Sequence, residues 1–140
     1  MSPGFTDRLL RWILLLSGLS MVIAVVPMVM PLSWMVAGHK WLGLGEFPSQ
    51  PIVPYLARTT SGLYAILGGL LVLAAVDLRR YATMAIVVIV GVVTVSIADF
   101  AFGRSEGMPL WWSAGDLASA SALTVVAVPM LLLRRRQNAN

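Results

Sequence analysis

The sequence predicts an all-α, single-domain, up-down-up-down bundle of four transmembrane helices. First, 59% of the residues are hydrophobic and 11% are charged, against roughly 45–50% and about 25% in average soluble domains. Second, ten Lys and Arg, six Asp and Glu and one His are too few to cover the surface of a soluble domain. Third, four apolar segments are long enough to cross a bilayer, and none alternates with period two as a membrane barrel strand does.

The four helices are predicted at about 10–30, 59–76, 81–102 and 110–133, within one integral membrane domain covering residues 1–140. Each falls within the roughly 17–25 residues that a helix needs to cross hydrocarbon. The first segment is longer than the roughly 7–15 apolar residues of a signal-peptide core, and no A-x-A-like site follows it. We therefore expect it to be retained as a helix.

The connections differ in length and character. The second and third helices are joined by Asp77-Leu78-Arg79-Arg80, which has neither Gly nor Pro, so we expect its charges to force the turn. The connection between the first two helices, about 34–58, is long and partly apolar. It predicts a short interfacial segment that caps the bundle, followed by an extended stretch through Pro48, Pro51 and Pro54. A passive strap between two helix ends is the alternative.

The distribution of Arg and Lys predicts the orientation. Three basic residues, Lys40, Arg58 and Arg104, lie on one side of the predicted membrane. Because the side richer in Arg and Lys faces the cytoplasm, we expect both termini to be cytoplasmic in a multi-pass protein of the cell inner (plasma) membrane. The seven basic residues on the other side are Arg8, Arg11, Arg79, Arg80, Arg134, Arg135 and Arg136.

Charged residues from three helices are predicted to meet near the extracytoplasmic surface. Arg58 opens the second helix, Asp99 lies near the end of the third, and Asp116 lies inside the fourth. Ionisable residues inside a membrane are expensive and mark candidate sites. Further candidates that can reach this level, or that fix its depth, are His39, Glu46, Tyr64, Trp41 and Trp112.

Three interpretations of this cluster remain open. Arg58 could bridge Asp99 and Asp116 in an ion pair that joins three helices without any ligand. The same residues could instead line a polar pocket for a lipid headgroup, a quinone-like or other amphipathic molecule, or an ion. The two aspartates could also relay protons, since neighbouring carboxylates have coupled protonation.

Several chemistries are disfavoured by the residues present. The absence of cysteine excludes disulfides and thiol chemistry. A single histidine, His39, excludes a polyhistidine metal site within one chain, and no phosphate-binding or dinucleotide-binding glycine motif is found. We therefore predict no metal site, no cofactor, no catalytic residue and no nucleic-acid partner.

Three stretches carry a resemblance to known families. They are His39-Lys40-Trp41-Leu42-Gly43, Tyr55-Leu56-Ala57-Arg58 and Asp77-Leu78-Arg79-Arg80-Tyr81. With its four-helix topology and its size, the chain resembles the DoxX-like and BphX-like small membrane proteins of bacteria. The resemblance implies a four-helix membrane bundle and an accessory role beside oxidative or catabolic enzymes.

The leading functional hypothesis is a small non-catalytic membrane protein, an accessory or binding subunit with a polar site near the outer leaflet. One alternative is a small oligomeric or proton-coupled transporter that dimerises through small residues such as Ala114, Ala118 and Ala122. Another is a membrane enzyme that uses His39 on a lipid or quinone. The expected partners are the lipid bilayer and either further copies of the chain or a larger membrane complex.

Overall fold

The computed structural model describes residues 4–139, with side chains described through Arg134. The predicted cytoplasmic side chains of Arg135 and Arg136 lie outside the described residues. Between residues 4 and 139 the chain is helical with short connections and contains no β-strand, which confirms the predicted all-α class. The helices are α1 (Phe5–Val22), α2 (Val25–Val29), α3 (Leu32–Trp41), α4 (Ile52–Val76), α5 (Leu78–Ser105) and α6 (Leu110–Ala139).

Four helical stretches are long and apolar enough to cross a membrane, as predicted. They are Phe5–Val29, formed by α1 and α2 together, then Ile52–Val76, Leu78–Ser105 and Leu110–Arg134. Most of these stretches extend beyond the predicted segments, because their terminal turns carry polar residues that hydropathy alone leaves out. The four stretches are compatible with a small multi-pass integral membrane protein.

A proline divides the first stretch into α1 and α2. Pro27 has no N–H to donate to the carbonyl of Ile23, and its ring crowds that carbonyl. The backbone responds with tighter bonds, from Ala24 N–H to Met21 O (3.0 Å) and from Val26 N–H to Ile23 O (2.9 Å). The first span therefore changes direction shortly before it ends.

The long connection begins with a short helix, α3. The interfacial segment that caps the bundle stays a prediction. The predicted extended stretch through three prolines is wrong at its end, because α4 begins at Ile52 and takes Pro54 into its first turn. Proline is tolerated there because the first N–H groups of a helix have no intrahelical partner.

The turn between α4 and α5 is a single residue, Asp77. Its carboxylate accepts hydrogen bonds from the backbone N–H groups of Arg79 (3.0 Å) and Arg80 (3.2 Å). These bonds cap the start of α5, and they explain how the chain reverses without Gly or Pro. The turn before α6 uses Gly107, whose φ of 79° suits glycine, and the N–H of Met108 bonds to Gly103 O at 2.8 Å.

The four spans form a ring in which α1 packs on α4, α4 on α5, α5 on α6 and α6 on α1. We call the end with both chain termini and Asp77 the termini side, and the opposite end, with residues 30–51 and 106–109, the loop side. The contiguous buried apolar cluster lies in the half toward the termini side. Its largest fully buried members are Leu10, Leu14, Leu71, Leu78, Ile89 and Leu131.

The closest approach between helices joins α1 to α4 through two glycines. A Cβ atom added to Gly18 would lie 2.7 Å from Gly68 O, and one added to Gly68 would lie 2.5 Å from Gly18 O. Such contact between backbones is typical of membrane helices. By contrast, Ala118 and Ala122 of the predicted small-residue face of α6 are exposed, so within the described chain they do not hold the bundle together.

Polar contacts fasten the termini side. The Arg11 guanidinium donates to Ala75 O (2.9 Å) and Val76 O (2.6 Å) and so satisfies carbonyl groups at the end of α4. Arg134 pairs with Asp7 at 3.1 Å and joins α6 to α1. The apolar cluster and these contacts together hold the helix ends of this half, and a groove of about 290 Å³ remains beside Arg8, Arg11 and Trp12.

Candidate functional site

The half of the bundle toward the loop side contains an open cleft of about 660 Å³. We call it the loop-side cleft. Its side chains come from three of the four spans, and Trp111 and Gly115 complete its wall. The polar side chains of the lining and one of its tryptophans are Thr60 and Tyr64 of α4, Asp99 of α5, and Trp112, Asp116 and Ser119 of α6.

The polar groups of the cleft lie at two depths inside the spans. Asp99 is six residues before the end of α5 at Ser105, and Asp116 is six residues past the start of α6 at Leu110, which is about 9 Å in each case at 1.5 Å per residue. Tyr64 is twelve residues past the start of α4 at Ile52, or about 18 Å. Polar groups from three helices therefore line one cleft, with Tyr64 of α4 in place of Arg58.

Asp116 occupies the junction of three adjoining cavities. Besides the cleft, it lines a chamber of about 140 Å³ that also contains Ser17 and Ser20 of α1. It also lines a cavity of about 310 Å³ near the turn between α5 and α6, where Asp99 and Glu106 form part of the wall. Four helices thus contribute polar groups around a single carboxylate.

The carboxylates of the cleft are accessible. Asp99 and Asp116 are both exposed, and the one side-chain contact of Asp116 in the described residues is with Ser96, whose hydroxyl donates to Oδ2 over a long 3.4 Å. Ser96 itself is 1% exposed, and this bond links α5 to α6. A carboxylate so loosely held can accept further donors from a ligand or from water.

Arg58 does not belong to the cleft. Its guanidinium donates to Met28 O (2.8 Å) and Met30 O (2.9 Å), the free carbonyl groups at the end of α2. The one ion pair within 4.0 Å among the described side chains is Asp7–Arg134. The predicted bridge from Arg58 to Asp99 and Asp116 is therefore wrong. The carbonyl groups left free where α2 ends take this arginine instead.

Three other candidates lie on the loop-side connection, outside the cleft. His39 packs edge-to-face on Phe47 with ring centroids 5.4 Å apart, and its Nδ1 donates to Gly45 O at 3.2 Å. Glu46 lines a separate cavity beside Lys40, and Trp41 is 84% exposed. These residues shape the connection after α3, and the structure does not bring them to Asp99 and Asp116.

Some cleft residues were not among the predicted candidates. Ser119 lies three residues after Asp116 and Thr60 four residues before Tyr64, spacings that place each pair on one helix face. Ser119 and Thr60 could therefore have been found from their spacing in the sequence. Ser17 and Ser20 could not, because their place beside Asp116 depends on α1 packing against α6.

The electrostatic character of the site is acidic. In the described part of the chain, no Lys, Arg or His lines the cleft or its two adjoining cavities, whereas Asp99, Asp116 and Glu106 do. Searched over the same residues, the structure contains no group of three or more His, Asp or Glu side chains that could hold a metal ion. The arrangement combines carboxylates, hydroxyl groups and aromatic rings around a space of ligand size.

Comparisons with models of protein families, with curated proteins and with solved structures find no match for this chain.

Proposed function

We propose that this chain is a small, non-catalytic integral membrane protein that binds an amphipathic ligand in the loop-side cleft and serves as a binding or accessory subunit. In this proposal the loop side faces outward and both termini are cytoplasmic, since the basic residues concentrate on the termini side. The ligand reaches the cleft from the outer surface or from the outer leaflet.

The supporting observation is the unequal packing of the two halves. Leu14, Leu71, Ile89 and Leu131 fill the termini half and are at most 1% exposed, whereas the loop half encloses an open cleft of about 660 Å³. A bundle with a structural role alone gains nothing from this opening, because helices in lipid are held together by close contact. An open, polar-lined space within the size range of ligand pockets favours binding.

A cleft-filling variant tests this proposal without changing any charge. Gly115 lines the cleft, and a Cβ added there has no atom within 4 Å, so Gly115→Trp projects an indole into free space. We expect this variant to fold and to lose a small molecule that co-purifies with the unaltered chain. Native mass spectrometry of protein extracted gently from its own membrane measures the retention.

Gly91→Trp is the matched control. Gly91 also has no atom within 4 Å of an added Cβ and lies on α5 away from the cleft lining, so we expect it to keep the ligand. Equal retention by both tryptophan variants, or no retained molecule in the unaltered chain, would contradict the proposal.

A small carrier is the second candidate, favoured by the chamber that extends the cleft toward Ser17 and Ser20. A carrier must also open the half filled by Leu14, Leu71 and Leu131. A flux assay in liposomes separates the two functions. The binding subunit predicts no transport of a ligand that the purified protein retains, and measurable flux would favour the carrier.

A further inference from the structure

We propose that the ligand of the loop-side cleft is an organic cation with an apolar body, of the quaternary ammonium or phosphonium type. This inference depends on the proposed function of the cleft, and it specifies the sign and the shape of what binds there.

The lining of the cleft and its adjoining cavities is acidic. The cleft and the adjoining cavities carry Asp99, Asp116 and Glu106 and, among the described side chains, no base. The nearby arginines bond to backbone carbonyl groups, with Arg58 on Met28 and Met30 and Arg104 on Met108. Because acidic side chains line these cavities and no basic side chain does so in the described chain, the cleft favours a positive ligand over a negative one.

The carboxylates of Asp99 and Asp116 lie where an unpaired charge is unfavourable. Asp99 and Asp116 lie inside stretches that cross the membrane, where an ionised side chain is unfavourable unless it is paired or hydrated. Asp116 receives one long hydrogen bond from Ser96. A cation in the cleft would supply the positive partner that these carboxylates lack among the described side chains. Binding of a cation is therefore more favourable than binding of a neutral molecule of the same shape.

The aromatic lining of the cleft indicates the shape of the ligand. Tyr64, Trp111 and Trp112 line the cleft, and the two indoles meet edge-to-face with centroids 5.4 Å apart. Aromatic faces attract ammonium-type cations and also bury apolar groups. A bare metal ion would require several oxygen ligands in one place, and no group of three or more suitable side chains occurs in the searched residues. An organic cation fits both the carboxylates and the rings.

Two ions of nearly identical shape and opposite charge test the inference on the unaltered chain. Tetraphenylphosphonium and tetraphenylborate both carry four phenyl groups around one central atom. We expect titration calorimetry in detergent to show saturable binding of the phosphonium ion and none of the borate beyond its partition into protein-free micelles. Equal affinity for the two ions, or no saturable binding of the phosphonium ion, would overturn the inference.

Charge-neutral variants locate the site. Asp99→Asn and Asp116→Asn keep the side-chain shape, and each should weaken phosphonium binding by at least about tenfold. Glu46→Gln makes the same change of charge at a carboxylate outside the cleft and should leave the affinity unchanged. If both asparagine variants bound as the unaltered chain does, the inference would be wrong. Thermal melting of each variant identifies any loss of binding that comes from unfolding.

The cleft-filling variant separates failure of this inference from failure of the proposed function. If Gly115→Trp blocks binding of both tetraphenyl ions equally, the cleft binds amphipathic molecules but does not select by charge, and the inference alone fails. If phosphonium binding persists in Gly115→Trp, the ion binds elsewhere, and the result contradicts both the inference and the cleft as the binding site.

Discussion

Replacing Gly68 with leucine is expected to separate α1 from α4 and to destabilise the bundle by roughly 3 kcal/mol, the upper end of the usual cost of overpacking. A Cβ at this position would lie 2.5 Å from Gly18 O and 2.8 Å from the backbone N of Val22. Both are backbone atoms, so the clash cannot be relieved by a change of rotamer. The measurement is the unfolding midpoint in a mixed-micelle denaturant titration followed by circular dichroism.

Gly69 provides the matched control. It is the next residue of the same helix, it is exposed, and an added Cβ has no atom within 4 Å. Gly69→Leu should therefore unfold at the midpoint of the unaltered chain or slightly above it, since leucine favours a helix more than glycine does. Equal destabilisation by both leucine variants would show that the contact between Gly18 and Gly68 does not hold α1 to α4.

Replacing Arg58 with alanine is expected to destabilise the bundle by about 2 kcal/mol, because two charge-assisted hydrogen bonds to Met28 O and Met30 O are lost near the protein surface. Arg104→Ala is the control, since Arg104 is exposed and its bond to Met108 O is 3.5 Å long. It should change the stability little. The same denaturant titration measures both variants.

A double-mutant cycle distinguishes this role of Arg58 from the ion-pair interpretation. Since Arg58 contacts α2 and not the cleft, the effects of Arg58→Ala and Asp116→Asn on stability should add within about 0.5 kcal/mol. A strong coupling, in which the second substitution costs little once the first is made, would show that Arg58 and Asp116 interact. Such a result would restore the ion pair as the explanation of the cluster.

The fold was predictable because lipid imposes a simple rule. A backbone that crosses hydrocarbon must satisfy its own hydrogen bonds, so long apolar segments become helices. The turn at Asp77 shows the limit of that rule. The charged residues of the connection were expected to force the turn. The structure shows a helix N-cap instead, in which the Asp77 carboxylate accepts hydrogen bonds from the N–H groups of Arg79 and Arg80.

The candidate site was predictable only in part. Asp99 and Asp116 could be placed together from their depth along each helix, with Tyr64 and Trp112 as residues that reach this level or fix its depth, and the structure brings all four to one cleft. Depth does not determine which way a side chain points around the helix axis or which helices are neighbours. Arg58 therefore has a different partner from the predicted one, supplied by the free carbonyl groups at the end of α2.

The proposed function requires the loop-side cleft to face outward and the termini side to face the cytoplasm. The chain has no cysteine, so single-cysteine variants can be labelled with a membrane-impermeant maleimide in sealed cells. We predict that Ser119→Cys, in the cleft, is labelled from outside. Arg79→Cys, in the turn between α4 and α5, should be labelled only after the cells are permeabilised. Leu71→Cys, which is buried, should not be labelled at all. Labelling of the Ser119 and Arg79 variants from the same side of the membrane would contradict the account.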